Sequence, residues 1–422
     1  MSIRAKDPAF VYLVMSAAWS LLFTTVSVTN LVYQVEVAHL DPLRLLLVGS
    51  VLELTCLVFQ VPTGLLADAF SRRWAVAIGT ALVGGGFILE GLVPKFAAIA
   101  LAQVVWGIGV TLSDGADDAW ITEEIGEERA GRLFLRGSQV GQVAGLAGIV
   151  AGVGLASLRL NLPIVVGGSL FLLLATYLGL AMSEERYRAA PWQAGGVARM
   201  AAGARSSIAA LRGRPLVRTI LAITVFWGLS GEGVDRLYQV HFIKDVGLPT
   251  FAGLSPVLWF GLISGGSALI GIAATQVIRR RLDLEDHKVV TRVLFGFSAA
   301  RAGLIAGFAL AGNLGVAIAF IWLATVMRQV FGPVQRAWLN RSLDPANRAT
   351  LFSVDGQADA LGQIIGGPII GVVATGVSIR AALVTSASLL GLTLPLFARA
   401  LDQSTASGRL ATPREDGPVS RP

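Results

Sequence analysis

Charged residues are scarce in this chain. Only 14% of its 422 residues are Asp, Glu, Lys or Arg, against about a quarter in an ordinary soluble domain. With 54% hydrophobic residues, too little polar surface remains to cover a soluble core, which excludes a string of soluble domains. Cysteine is nearly absent. The lone Cys56 lies inside an apolar run, forms no intrachain disulfide and says nothing about redox compartment. The three histidines, His39, His241 and His287, are scattered. With no Cys/His/acid cluster, neither a metal nor a cofactor is expected. No G-x-x-x-x-G-K-[ST] run occurs, so no phosphate-cradling loop for ATP is present. No loop is long enough to hold a catalytic domain, so an enzyme is not expected. The net charge of +7 comes from residues that sit between apolar runs and form no continuous basic face. Nucleic acid is therefore not an expected partner.

What is abundant is apolar sequence in runs long enough to span a bilayer, about 20 residues each. The mean hydropathy is +0.68. Twelve helical spans are predicted, at 9–35, 43–67, 74–94, 97–119, 136–158, 161–182, 217–240, 253–278, 289–311, 314–334, 352–376 and 379–399. Each must be helical, because lipid offers a backbone no hydrogen-bond partners. The first run, from about Phe10, passes directly into further spans and reads as an uncleaved helix. Asp41-Pro42, Arg72-Arg73 and Arg279-Arg280-Arg281 mark breaks between spans.

Lys and Arg set the orientation. With the N-terminus inside, most of the 34 fall in cytoplasmic segments. Only Arg44, Lys95, Arg159, Lys244 and Arg380 fall outside, and Arg236, Arg301 and Arg328 lie within spans. That asymmetry predicts a multi-pass protein of the cytoplasmic membrane with both ends inside.

A repeat divides the chain. Ala119-Trp120, Leu133-Phe134, Gln139 and Gly148 recur at one constant offset as Ala337-Trp338, Leu351-Phe352, Gln357 and Gly366. Tyr33-Gln34-Val35 and Tyr238-Gln239-Val240 end the first and seventh spans. Both copies begin inside with six spans, so the repeat is parallel, about an axis along the membrane normal. The expected organisation is a six-helix bundle over 1–182, a cytoplasmic connector over 183–216, a second bundle over 217–401 and a disordered tail over 402–422. Within the connector, Val197, Met200, Ile208 and Leu211 can form the apolar face of a surface helix.

The segment Gly64-Leu65-Leu66-Ala67-Asp68-Ala69-Phe70-Ser71-Arg72-Arg73 joins spans two and three. Gly64 permits close helix contact, Asp68 can cap or pair at a helix end, and the arginines bind carboxylates or phosphates. The run resembles the G-x-L-A-D-x-x-x-R-R signature of the major facilitator superfamily, which occupies the same place. Gly64, Leu66, Ala67, Asp68, Arg72 and Arg73 match it; Ala69 and Ser71 stand where Arg and Gly are usual. The resemblance implies an all-α membrane fold of twelve helices in two bundles. It also implies a cytoplasmic latch in which the motif engages the eleventh helix and an acid of the fourth.

Span four ends Ser113-Asp114-Gly115-Ala116-Asp117-Asp118-Ala119-Trp120. Read as one helix, it places Asp114, Asp117 and Asp118 on a shared face. The run is similar to the fourth helix of drug-efflux members. Asp114 or Asp118 is expected to be the latch acid for Arg72 or Arg73, with Asp117 a candidate proton site; solvation at the interface is the plainer alternative. Gln103 stands where members that couple through this helix often carry Arg. Glu53, near the middle of span two, is the first candidate for proton coupling, since a carboxylate at that depth can take up and release protons as a cavity alternates; a structural hydrogen bond is the alternative. Span seven carries Glu232, Asp235 and Arg236, with Glu232 and Arg236 spaced to pair within the helix. Asp235 then faces a cavity or another helix; Glu232 and Asp235 are further candidates for proton coupling, and the cluster serves substrate contact or gating, or else a fixed extracellular lock. Arg301 and Arg328 are buried cations, with Asp355 and Asp359 as expected partners.

Gln34, Gln60, Trp227, Tyr238, Gln239 and Arg301 are candidate cavity residues, and Trp19, Phe23, Tyr33 and Trp259 are further aromatics that can line it. Glycines at 137, 141, 145, 148 and 152 in span five, and at 362, 366, 367 and 371 in span eleven, let helices cross closely. They resemble the glycine-rich fifth helix of superfamily antiporters, without its proline. The resemblance implies a monomeric secondary transporter whose partners are a small molecule, protons and the bilayer. Proton-driven efflux of an apolar or amphipathic compound is the expectation, with proton-coupled metabolite uptake or a non-transporting sensor or lipid-handling protein on the same fold as alternatives.

Overall fold

The computed structural model describes residues 7–187, 215–249, 256–281, 287–341 and 348–410. The predicted surface helix of the connector, and the tail beyond 410, lie outside them.

The helices are α1 (Pro8–Glu36), α2 (Pro42–Ala69), α3 (Arg72–Leu92), α4 (Phe96–Ser113), α5 (Ala116–Ile125), α6 (Glu127–Ala156) and α7 (Leu162–Ala181) in the first half. The second half holds α8 (Pro215–His241), a π turn (Phe242–Val246), α9 (Pro256–Arg281), α10 (His287–Leu310), α11 (Leu314–Arg341), α12 (Arg348–Gly376), α13 (Ile379–Gly391) and α14 (Thr393–Leu410). Among the described residues, eleven segments are long and apolar enough to cross a membrane. Helix α8, which carries Glu232, Asp235 and Arg236, packs among them as the twelfth.

Local chemistry sets the breaks. Asp7 and Asp41 accept from the backbone N–H of Ala9 (3.1 Å) and Arg44 (2.9 Å), each just before a proline that opens a helix. Ser71 caps α3 through Trp74 N–H at 3.1 Å. Span four is not one helix. Gly115 takes φ +78°, a left-handed conformation that glycine adopts freely, and separates α4 from α5. Asp114 therefore leaves the face it was expected to share with Asp117 and Asp118. Those two occupy the first turn of α5, where the helix dipole favours acids.

Several helices outrun the hydropathy. Helix α6 begins at Glu127, not near 136, and α11 runs on to Arg341, because helix geometry continues past the last apolar turn. Helix α14 likewise runs to Leu410, so the segment from Asp402, expected to be disordered, starts as helix.

The two bundles repeat one packing. A Cβ at Gly148 or Gly152 of α6 would overlap the carbonyls of Leu21 or Thr25 on α1, and Thr25 Oγ1 donates to Gly148 O at 3.2 Å. A Cβ at Gly362 or Gly366 of α12 would overlap those of Val225 or Leu229 on α8. The matched Gly148 and Gly366 thus do the same work, bringing the fifth span of each half onto the first. Trp120 and Trp338, another matched pair, are each only 1% exposed. Outward-facing Leu173, Leu180 and Leu310 are left exposed, as side chains facing lipid are.

Candidate functional site

The bundles meet at one end. That end, opposite the 64–73 loop, is called the far end here, and the loop end the motif end. Leu31, Leu45 and Leu46 of the first half share an apolar core with Val234, Leu237 and Ile370 of the second. Leu43 N–H donates to Thr375 Oγ1 at 3.1 Å. Gly367 and Gly371 of α12 let Ser50 and Leu43 of α2 come close. Small residues on α12 thus seal the far end.

Each half has a cavity toward the motif end. The first-half cavity, about 720 Å3, is walled by Tyr12, Trp19, Phe23 and Phe134, with Asp114 and Asp117 on its rim. The second-half cavity, about 680 Å3, is lined by Trp227, Arg301, Arg328, Phe331, Asp355 and Asp359.

Charges cluster where α2 meets α8 and along the second-half cavity. Glu232 and Arg236 pair within α8 at 3.0 Å, as their spacing predicts. Gly49 of α2 makes room for them: a Cβ there would overlap the Glu232 carboxylate. Glu53, one turn further along α2, is half-buried and has no hydrogen bond or ion pair among the described residues. It lies within electrostatic reach of Glu232, Asp359, Arg236 and Asp235.

Asp235 pairs with Arg328 of α11. This differs from the expectation that Asp355 or Asp359 would hold Arg328 and Arg301. Asp355 instead accepts from Thr224 Oγ1 at 2.6 Å, and Asp359 from Gln363 Nε2 at 2.9 Å. Arg301 lies over the ring of Trp227, 4.6 Å from its centroid. Sequence spacing gives a residue's depth in the bundle, not which neighbour its face meets.

The motif loop is engaged with its own half. Arg72 pairs with Asp68 at 3.3 Å and with Glu123 of α5 at 3.0 Å. Glu184, just past α7, accepts from Ser71 Oγ at 2.8 Å and from Arg73 N–H at 2.9 Å. Tyr187 donates to Asp68 O at 2.8 Å. Beyond Asp68 of the motif itself, the acids that meet the arginines are Glu123 and Glu184, not Asp114 or Asp118. Gly115 turns Asp114 toward the cavity, and Asp118 accepts from Tyr12 Oη at 3.5 Å. Gly64 was expected to sit in a close helix contact; a Cβ there meets nothing.

The other candidates divide. Trp19, Phe23, Trp227 and Arg301 line cavities. Gln60 is exposed on α2. Gln239 is buried and donates to Tyr238 Oη at 2.8 Å. Tyr33 donates to Glu90 O at 2.9 Å, and Trp259 to Pro249 O at 3.0 Å. Gln34 belongs to a network that sequence reasoning missed. Its Nε2 donates to Glu90 Oε1 at 2.6 Å, while Gln103 Nε2 donates to Glu90 Oε2 at 3.1 Å. Glu90 is fully buried. It stands two residues from the end of α3 and so passes for an interfacial acid. The available signal was Gln34 and Gln103 on neighbouring spans, two amides needing a partner at the same depth.

No protein-family model matches the chain. It is 22% identical over 364 residues to the uncharacterized MFS-type transporter YxaM of Bacillus subtilis (strain 168), covering 85% of this chain and 87% of that protein. Among solved structures it resembles the nucleoside transporter NupG, with TM-score 0.76, 16% identity, and 93% and 99% of the two chains covered. It also resembles a bacterial homolog of the human lysosomal transporter Spinster, captured inward-facing and unoccupied. There the TM-score is 0.74, with 14% identity over 95% of this chain and 98% of that one. The peptide transporter POT, in complex with sulfate, gives TM-score 0.68 at 16% identity, covering 96% and 95%. The chain has the major facilitator fold: an all-α membrane architecture of two six-helix bundles. These relatives are named as transporters, not as enzymes.

Proposed function

We propose that this protein is a monomeric secondary transporter of the cytoplasmic membrane that exports a small amphipathic molecule in exchange for protons, by alternating access. The observation that carries the reading is the asymmetry between the two ends. The far end is closed by α2 against α12, while each half has a cavity toward the motif end. By the distribution of Lys and Arg, the motif end is cytoplasmic, so this is an inward-open state. An open cytoplasmic end explains why nothing packs on Gly64. In the opposite state α12 closes onto the motif loop, and the Arg72–Glu123 and Arg73–Glu184 pairs hold that loop in shape for it.

Glu53 carries the proton in this reading. It is half-buried between the bundles, within electrostatic reach of the Glu232–Arg236 pair and of Asp235 and Asp359 across the interface. Protonation there changes the balance of charge between the halves, as a coupling step requires. The aromatic wall of the first-half cavity favours an apolar or amphipathic body.

The test is flux in reconstituted vesicles. Under an imposed pH gradient, an amphipathic compound from a toxic-compound panel moves saturably, and a protonophore abolishes the movement. Absence of saturable flux across such a panel, with correctly folded protein in the membrane, contradicts the proposal.

A further inference from the structure

The second-half cavity holds a guanidinium without a counter-ion. Arg301 is 2% exposed, yet its Nε and Nη1 have no hydrogen-bond partner. A guanidinium presents five N–H donors, and a buried charge is ordinarily paired. Among the described residues no carboxylate lies within ion-pair distance of Arg301. The acids around it are engaged elsewhere: Asp235 with Arg328, Asp355 with Thr224, Asp359 with Gln363.

The group is also held in place. Its plane lies over Trp227, whose Nε1 donates to Ser298 Oγ at 3.2 Å and whose rings stack on Phe331 at 3.7 Å. All three of Trp227, Arg301 and Phe331 line the cavity. A fixed, desolvated, donor-rich fork beside aromatic ring edges fits a ligand with an oxyanion next to an apolar body.

We infer that the second-half cavity is the head-group subsite for the substrate, binding a carboxylate- or phosphate-type oxyanion on Arg301 while the adjoining apolar part meets the edges of Trp227 and Phe331 and the neighbouring Phe352. This rests on the transporter reading and narrows its substrate class to amphipathic anions. Asp359, within electrostatic reach of Arg301, sets how tightly the anion is held and so allows its release.

Binding is measured on the purified full chain in nanodiscs without any gradient, by tryptophan fluorescence and thermal stability. The probes are phenyl phosphate, benzyl alcohol and benzylammonium, which share a ring and differ in charge. Phenyl phosphate is expected to bind saturably and at least about tenfold tighter than the other two. Arg301→Gln removes that preference, and Arg301→Lys, a point charge without the fork, keeps part of it. Asp359→Asn tightens phenyl phosphate binding, and this variant decides the matter if the Arg301 variants do not fold. Equal affinity for the three probes, an unchanged preference in Arg301→Gln, or no tightening in Asp359→Asn overturns the inference. Flux that persists without anion binding sinks this subsite alone; anion binding without flux sinks the transport reading alone.

Discussion

Asp235 of α8 is paired with Arg328 of α11, each side chain 43% exposed within the interior cleft. A pair this open to water contributes little to stability, about 1 kcal/mol or less. Asp235→Asn is therefore expected to leave thermal stability nearly unchanged and still to impair transport, because Arg328 is freed to engage Glu232 or Asp359. Exchanging the two charges, Asp235→Arg with Arg328→Asp, restores part of the flux. Thermal denaturation and vesicle uptake on the same preparations check both statements.

Glu53 supplies the second prediction. Glu53→Gln holds the residue in an uncharged form, so flux driven by a pH gradient is lost while exchange of internal for external substrate continues. Unchanged pH-driven flux in that variant removes Glu53 from the coupling step.

The glycines separate packing from gating. At Gly366 a Cβ overlaps Leu229 O, so Gly366→Val forces α12 off α8 and costs about 1–3 kcal/mol or more of stability. At Gly64 there is open space in this state. Gly64→Ala gains up to about 1 kcal/mol of helix propensity, and it is expected to slow transport by obstructing closure onto the motif loop. Melting temperatures should move in opposite directions for the two variants.

Much of this architecture is legible in the sequence. Span count, the repeat through Trp120/Trp338 and Gly148/Gly366, and the Glu232–Arg236 pair follow from hydropathy, offset and the helical period. The pairings between helices do not. Arg328 finds Asp235 rather than Asp355 or Asp359, and Arg72 finds Glu123 rather than Asp118, because rotation of each helix about its axis is set by packing. Gly115 also broke a face drawn as continuous: glycine in a span reads equally as a packing contact or as a left-handed break.

Glu90 was hidden by its place near a helix end. Gln34 Oε1 and Gln103 Oε1 have no donors, so one amide can turn over to meet a new N–H. Glu90→Gln is accordingly expected to fold with a loss of about 1 kcal/mol or less. Glu90→Leu strips the buried Gln103 amide of its acceptor, at about 1–3 kcal/mol, and leaves Gln34 Nε2 with Asn30 Oδ1 at 3.2 Å. Thermal unfolding of the two variants in detergent gives the comparison.

Alternating access is tested most directly by distances at the two ends of the bundle. Spin labels on a Cys56→Ser background, at Arg132 with Arg292 for the motif end and at Leu158 with Asn313 for the far end, report each opening separately. On passing from alkaline to acidic conditions, and in Glu53→Gln, the motif-end distance is expected to shorten as the far-end distance lengthens. Distances that stay fixed under every condition, or that lengthen together, contradict the account.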